Sequence, residues 1–133
     1  LKLYYKSRKI MMSIKEEEKV LFDKLRDSNP IIVEDGIVDE AEYLASRYKI
    51  LYVMKEVNGG EGWNLKEFLK DEARPQTWNN IARWTEGILN LEADYKLNYL
   101  DSNNEDRRKI MLKKIGSINL KKSQVNIHLT TKK

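Results

Sequence analysis

Polar side chains that could take part in catalysis or ligand binding follow directly after an apolar stretch of the sequence. Residues 50–54 form a continuous apolar run rich in β-formers, and Glu56, Asn58, Gly59 and Gly60 come after it. Such a run is typical of a strand buried on both faces in a parallel sheet. Open α/β sheets bind ligands just beyond the carboxyl ends of their strands, and glycine lets the backbone approach a ligand closely. Glu56 and Asn58 are therefore the candidate catalytic residues, although this stretch taken alone favours a plain strand-to-helix turn with polar residues at the surface.

A second short apolar segment shows the same arrangement. Residues 117–120 are predicted to be a core strand that contains Asn119 and ends in Lys121 and Lys122. Because the carboxyl ends of parallel strands meet at one edge of a sheet, we expect Asn119 and Lys122 to lie near Glu56. The sequence thus predicts one site built from two strand ends.

The remaining pattern predicts the elements that hold these strands. Helix starts are marked by the Ser13-x-x-Glu16 capping box, by Asp39 and by Asn64. A helix over residues 78–89 has an apolar stripe with two tryptophans, which we interpret as core. Further predictions are a basic helix over residues 106–114 ended by Gly116, and strands at 31–33 and 125–130. Strands alternating with helices predict the α/β class with a mostly parallel sheet.

Length and composition limit the possible functions. The chain has 133 residues, from which we predict a single domain over 13–133, preceded by a leader or added extension over 1–12. There is no cysteine, which excludes disulfides and thiolate metal sites. No apolar run approaches the roughly 20 residues that span a membrane. We therefore expect a cytoplasmic protein with no membrane partner, no metal and no cofactor.

The charge is distributed unevenly along the chain. Residues 107–133 contain nine Lys or Arg and no Asp or Glu, whereas the preceding residues contain 16 basic and 21 acidic side chains. A basic end on an acidic body favours an anionic partner, and nucleic acid first among these. A solvated surface that only aids solubility explains the charge equally well.

Three stretches resemble the uracil-DNA glycosylase superfamily, particularly its bacterial hypothetical members. Residues 55–59 read Lys-Glu-Val-Asn-Gly, where one branch of the family has Gly-Glu-Ala-Pro-Gly, and residues 118–122 match an Asn-x-x-Lys motif. The stretch 78–84 is also similar, so the resemblance covers roughly residues 31–122. The histidine-containing His-Pro-Ser loop of the family is absent, since His128 is the only histidine. The chain therefore resembles a member that is truncated at its carboxyl end, divergent or incompletely represented.

This resemblance implies a three-layer α/β/α fold and recognition of a base in DNA, with excision by hydrolysis of the N-glycosidic bond. It places Glu56 on the family's glutamate, and a carboxylate there can position water and stabilise an oxocarbenium-like transition state. It assigns base recognition to Asn119, because an amide offers one acceptor and two donors. Trp63 is the candidate for stacking on the base. The candidate phosphate contacts are Gly59, Gly60, Lys121 and Lys122.

Each of these residues also has a purely structural interpretation. Glu56 can be a solvated loop residue, Asn119 can satisfy backbone groups at a strand end, and Trp63 can belong to the core. Lys121 and Lys122 can be ordinary surface charges. The alternative function is accordingly a non-catalytic nucleic-acid-binding or protein-interaction module of the same fold.

Overall fold

The computed structural model describes residues 11–56, 62–92 and 102–123, and within these ranges it contains five α-helices and three strands. The class is therefore α/β, as predicted. No helix in the described part of the chain is long and apolar enough to cross a membrane. In chain order the elements are α1 (Ile14–Ser28), β1 (Gly36–Ile37), α2 (Glu40–Ala45), β2 (Ile50–Glu56), α3 (Leu65–Asp71), α4 (Pro75–Leu89), α5 (Asn104–Met111), a 3₁₀ turn (Leu112–Lys114) and β3 (Ile115–Lys121).

Side-chain caps begin the first three helices where the sequence predicts. In α1 the hydroxyl of Ser13 accepts from the Glu16 backbone N–H at 3.2 Å, and the Glu16 carboxylate accepts from the Ser13 backbone N–H at 2.8 Å. Asp39 caps α2, and Asn64 caps α3. These caps satisfy backbone donors that have no partner within the helix. The three predicted helix starts are confirmed.

The three described strands form a mixed sheet in the order β1-β3-β2. Strand β2 runs parallel to β3, with Tyr52 beside Ser117 and Met54 beside Asn119. Strand β1 is antiparallel to β3 and only two residues long. The central strand is therefore β3, which lies 59 residues after β2 in the sequence.

One face of this sheet packs on the helices and holds the core. Ile115 of β3 and the partly buried Tyr52 and Met54 of β2 contact a cluster of buried side chains from α3, α4 and the segments beside β1. At an approximate gain of 25 cal/mol per Å² of buried apolar surface, this cluster is the main source of stability. Its buried members are Val33, Val38, Leu65, Leu69, Trp78, Ile81, Ala82, Leu112 and Ile115.

The prediction that residues 50–54 are buried on both faces is wrong. Tyr52 faces the core, but Leu51 and Val53 on the opposite face are 49% and 56% exposed. Within the described sheet β2 lies at an edge, and the helices α3 and α4 pack only on the Tyr52 side. Because side chains alternate along a strand, coverage of one face buries only every second residue.

Several other local predictions also differ from the structure. No strand forms at residues 31–33; strand β1 instead begins at Gly36, within the predicted turn. Gly116 does not end α5, since it lies inside β3, and Trp84 of the predicted core stripe is 58% exposed. The strand predicted at 125–130, which contains His128, lies outside the described residues, as do residues 1–10.

Candidate functional site

The parallel register of β2 and β3 brings two of the predicted site residues together. Glu56 and Lys121 are Cα partners at the carboxyl ends of the two strands. The Lys121 Nζ lies 3.5 Å from the Glu56 Oε2, and both side chains are a little under half exposed. An exposed ion pair at this distance is worth only about 0–1 kcal/mol, so either partner can exchange it for another charged group.

Asn119 lies two residues before this pair, inside the fold. It is 5% exposed, and its position on β3 alternates with Gly116 and Ile118 so that it shares a face with Ile115 and Ser117. Its backbone N–H donates to the Asp35 Oδ2 at 2.7 Å, and its backbone carbonyl accepts from the Lys122 Nζ at 3.1 Å. No described residue makes a hydrogen bond to its side-chain amide.

Among the side-chain polar groups that the structure buries, some make no hydrogen bond with a described residue. They include the hydroxyl of Ser117, on the same face of β3 as Asn119, and the indole N–H of Trp63. A buried donor or acceptor left unpaired costs about 1–3 kcal/mol. The Ser117 hydroxyl thus places an unpaired polar group on the interior face of β3, two residues before Asn119.

Trp63 packs into the core as well as offering its N–H. Its ring meets Phe68 edge-on, with centroids 5.8 Å apart and planes at 70°, and it contacts the buried cluster. This geometry is favourable for a packed aromatic pair. The structure therefore places Trp63 as a half-buried packing residue whose polar edge has no described partner.

The two adjacent lysines after β3 have different surroundings. Lys121 is at the surface beside Glu56, whereas the Lys122 Nζ lies 2.9 and 2.7 Å from the two carboxylate oxygens of Asp35. Asp35 is 2% exposed and was missed by sequence reasoning, because an Asp-Gly pair predicts a turn. The one available signal was the apolar segment that precedes it, the same pattern that identified Glu56.

Much of the basic segment that follows residue 106 is also paired. Arg107 contacts Glu86 at 2.8 Å, Lys109 contacts Glu105 at 2.8 Å, and Lys114 contacts Glu42 at 3.1 Å. The carboxylate of Glu105 raises the pKa of Lys109 through a hydrogen bond, and Lys109 in turn lowers the pKa of Glu105. Acidic partners from earlier in the chain therefore neutralise part of the uneven charge seen in the sequence.

A buried hydroxyl pair lies next to the site on β2. The Tyr52 Oη is 2.9 Å from the Thr85 Oγ1, which itself donates to the Ile81 carbonyl at 2.8 Å. Burial raises the pKa of Tyr52, and the hydrogen bond with Thr85 partly opposes that shift. Tyr52 therefore stays neutral and acts as a fixed hydrogen-bonding group between β2 and α4.

The remaining predicted site residues, Asn58, Gly59 and Gly60, lie outside the described part of the chain. Of the cavities between described residues, one of about 250 Å³ lies between α1, β1 and α3, and is lined by Glu18, Ile37 and Lys66 among others. It does not include the strand-end residues. Within the described ranges no group of three or more His, Cys, Asp or Glu side chains could hold a metal ion.

Comparison with known proteins identifies no relative. No protein-family model matches the chain. No curated protein and no solved structure shows significant similarity to it.

Proposed function

We propose that this protein binds DNA in the cytoplasm and recognises a nucleobase at the carboxyl ends of β2 and β3. The proposal includes a three-layer α/β/α domain of the uracil-DNA glycosylase type. The observation that supports it best is Asn119, which is 5% exposed near the end of β3 and whose side-chain amide makes no hydrogen bond with a described residue. A carboxamide presents one acceptor and two donors, which match the donor and acceptor edge of a pyrimidine.

Burial makes such an amide selective. In a water-poor environment, a base that leaves the amide unpaired binds more weakly by the full desolvation cost of that group. A matching base offsets this cost through its hydrogen bonds to the amide. To reach Asn119 a base must leave the stack, which is easiest in single-stranded DNA or at a mismatch. The proposed ligand is thus a flipped-out or unpaired base.

The same proposal assigns Glu56 to hydrolysis of the N-glycosidic bond. Water adds to C1′ of the sugar, the bond between C1′ and the base breaks, and the base leaves with a proton. Glu56 lies at the same sheet edge as Asn119, and its carboxylate can hold the water and stabilise positive charge on the sugar. The proposal assigns a DNA phosphate contact to Lys121, whose side chain is 46% exposed beside Glu56.

The test measures binding and cleavage on the same DNA. Fluorescence anisotropy compares single-stranded oligonucleotides that carry one uracil, thymine or cytosine, or an abasic site. Alkali treatment then reveals any base released. We expect Asn119→Ala to lower the preference for the recognised base by about 5- to 150-fold, equivalent to ~1–3 kcal/mol for a good base contact. Asn80→Ala, on the exposed side of α4, is the matched control and should change nothing.

Each result has a definite meaning. Release of base by the wild-type protein, lost in Glu56→Gln while binding remains, supports both recognition and excision. Base preference without release supports recognition and removes the role of Glu56. Equal binding of all oligonucleotides overturns the proposal, and salt-sensitive binding of that kind identifies a non-specific nucleic-acid-binding protein instead.

A further inference from the structure

A buried ion pair holds both backbone groups of the proposed base-reading residue. The carboxylate of Asp35 accepts from the Asn119 N–H at 2.7 Å and from the Lys122 Nζ at 2.7 and 2.9 Å. The same Nζ donates to the Asn119 carbonyl at 3.1 Å. Asp35, Lys122 and Asn119 therefore form a closed hydrogen-bonded ring around one peptide position of β3.

This ring lies just beyond the last backbone pair between β1 and β3. Strand β1 pairs with β3 only at Gly36 and Ile37, and Asp35 immediately precedes it. The Asp35 carboxylate takes the place that a strand carbonyl would occupy opposite the Asn119 N–H. A second link follows at once, since the Val33 N–H donates to the Lys122 carbonyl at 2.8 Å. Side-chain and backbone bonds together extend the sheet past its last regular pair.

The ion pair is largely shielded from solvent, since the Lys122 side chain is 26% exposed and the Asp35 side chain 2% exposed. Asp35 is fully buried, and the Lys122 Nζ lies 5.7 Å from the centre of the Phe22 ring on α1. A charge in such a place is costly unless it is paired, so each member holds the other in position. The neighbouring Lys121 has no comparable enclosure, since almost half of its side chain is exposed.

We infer that Asp35 and Lys122 are positioning residues that fix Asn119 for its ligand, and that Lys122 does not contact DNA phosphate. The part of this inference that concerns DNA rests on the proposed function. The part that concerns the ring does not, because it describes contacts within the free protein. The two adjacent lysines then have separate roles: Lys121 acts through charge, and Lys122 acts through Asn119.

Two variants at neighbouring positions test this division. A phosphate contact contributes about one unit to the slope of log affinity against log salt and affects all sequences equally. We expect Lys121→Met to reduce the salt slope with base preference unchanged. We expect Lys122→Met to leave the salt slope unchanged and to reduce base preference about tenfold, as a misplaced hydrogen-bonding group does. Lys122→Arg, which keeps the charge, should retain much of the preference.

Nuclear magnetic resonance of the free protein supplies a readout that does not depend on DNA. We expect exchange of the Asn119 amide proton to be at least about tenfold faster in Asp35→Asn or Lys122→Met than in Lys121→Met, because opening of the ring exposes that proton. In the wild-type protein a scalar coupling across the hydrogen bond should connect the Lys122 Nζ with the Asp35 carboxyl carbon. This last measurement needs no variant and holds even where a substitution prevents folding.

The outcomes separate the two proposals. Absence of the Asp35–Lys122 coupling, or an Asn119 amide that is unaffected in both variants, overturns the inference whatever the DNA results are. A lower salt slope in Lys122→Met with unchanged base preference also overturns it. If the ring is observed but the wild-type protein shows no base preference, the proposed function fails and the role of the ring in the free protein stands.

Discussion

Replacement of Gly36, the first residue of β1, by alanine should strongly destabilise the protein. Gly36 has φ = +126°, a backbone angle that residues with a side chain rarely adopt. A Cβ built at this position would lie 2.1 Å from the Glu18 Oε1 and 2.6 Å from its Cδ. The added methyl group therefore meets two separate penalties, one from the backbone and one from Glu18.

The Glu18 carboxylate cannot move away without loss. It accepts from the Ile37 N–H at 2.7 Å and pairs with Lys66 at 2.9 Å, and both charged side chains are mostly buried. Backbone strain of this kind costs about 1–3 kcal/mol, and loss of a hydrogen bond to a charged group costs about 1.5–3 kcal/mol. We expect Gly36→Ala to lower the free energy of unfolding by about 3–5 kcal/mol, a large part of the 5–15 kcal/mol typical of a domain.

Urea denaturation followed by tryptophan fluorescence measures this loss of stability. Two controls separate the backbone contribution from the contribution of the contact with Glu18. Gly62 has φ = +81° with no atom within 4 Å of a built Cβ, so Gly62→Ala should show the backbone penalty of about 1–3 kcal/mol alone. In a Glu18→Ala background, Gly36→Ala should cost about 1–3 kcal/mol for the same reason. An equal cost of Gly36→Ala in both backgrounds, or a cost below about 1 kcal/mol, would refute the contact with Glu18.

Two further predictions concern the interface between β2 and α4. Tyr52→Phe should cost about 0.5–1.5 kcal/mol at neutral pH through the lost hydrogen bond with Thr85. Because burial raises the pKa of Tyr52, the stabilisation by its neutral hydroxyl is complete below pH 10 and is lost as the pH rises beyond about 10. Urea titrations from pH 8 to 11 should show this decline in the wild-type protein relative to Tyr52→Phe. Parallel pH dependences of the two proteins would contradict it. Trp78→Ala should lower the free energy of unfolding by about 3–5 kcal/mol in the same denaturation assay. Trp84→Ala, at an exposed position, should lower it by under about 1 kcal/mol. Similar losses for the two variants would contradict the orientation of α4.

Local chemistry explains which parts of the fold could be predicted from the sequence. A capping box joins residues three apart, so Ser13 and Glu16 are sufficient to place the start of α1. The same holds for Asp39 and Asn64, whose side chains bond within their own first turns. These interactions need no knowledge of the tertiary fold.

Burial could not be predicted in the same way, because it depends on what packs against each face. The run at residues 50–54 is apolar throughout, yet the structure covers only the side that carries Tyr52. On α4, Trp78 and Trp84 are six residues apart, about 600° around the helix, which places them on different sides. Trp78 is buried and Trp84 is not. The stripe predicted for this helix is therefore wider than its buried face.

The site shows the same limit for charged residues. Lys121 and Lys122 are neighbours in a basic segment, and nothing in the local sequence distinguishes them. What distinguishes them is Asp35, a buried carboxylate that lies 87 residues before Lys122 and pairs with it. Successive side chains of an extended segment point to opposite sides, so one lysine faces solvent while the next faces Asp35. The two lysines at the end of β3 therefore differ in their surroundings, and the position of a distant carboxylate decides which of them stays at the surface.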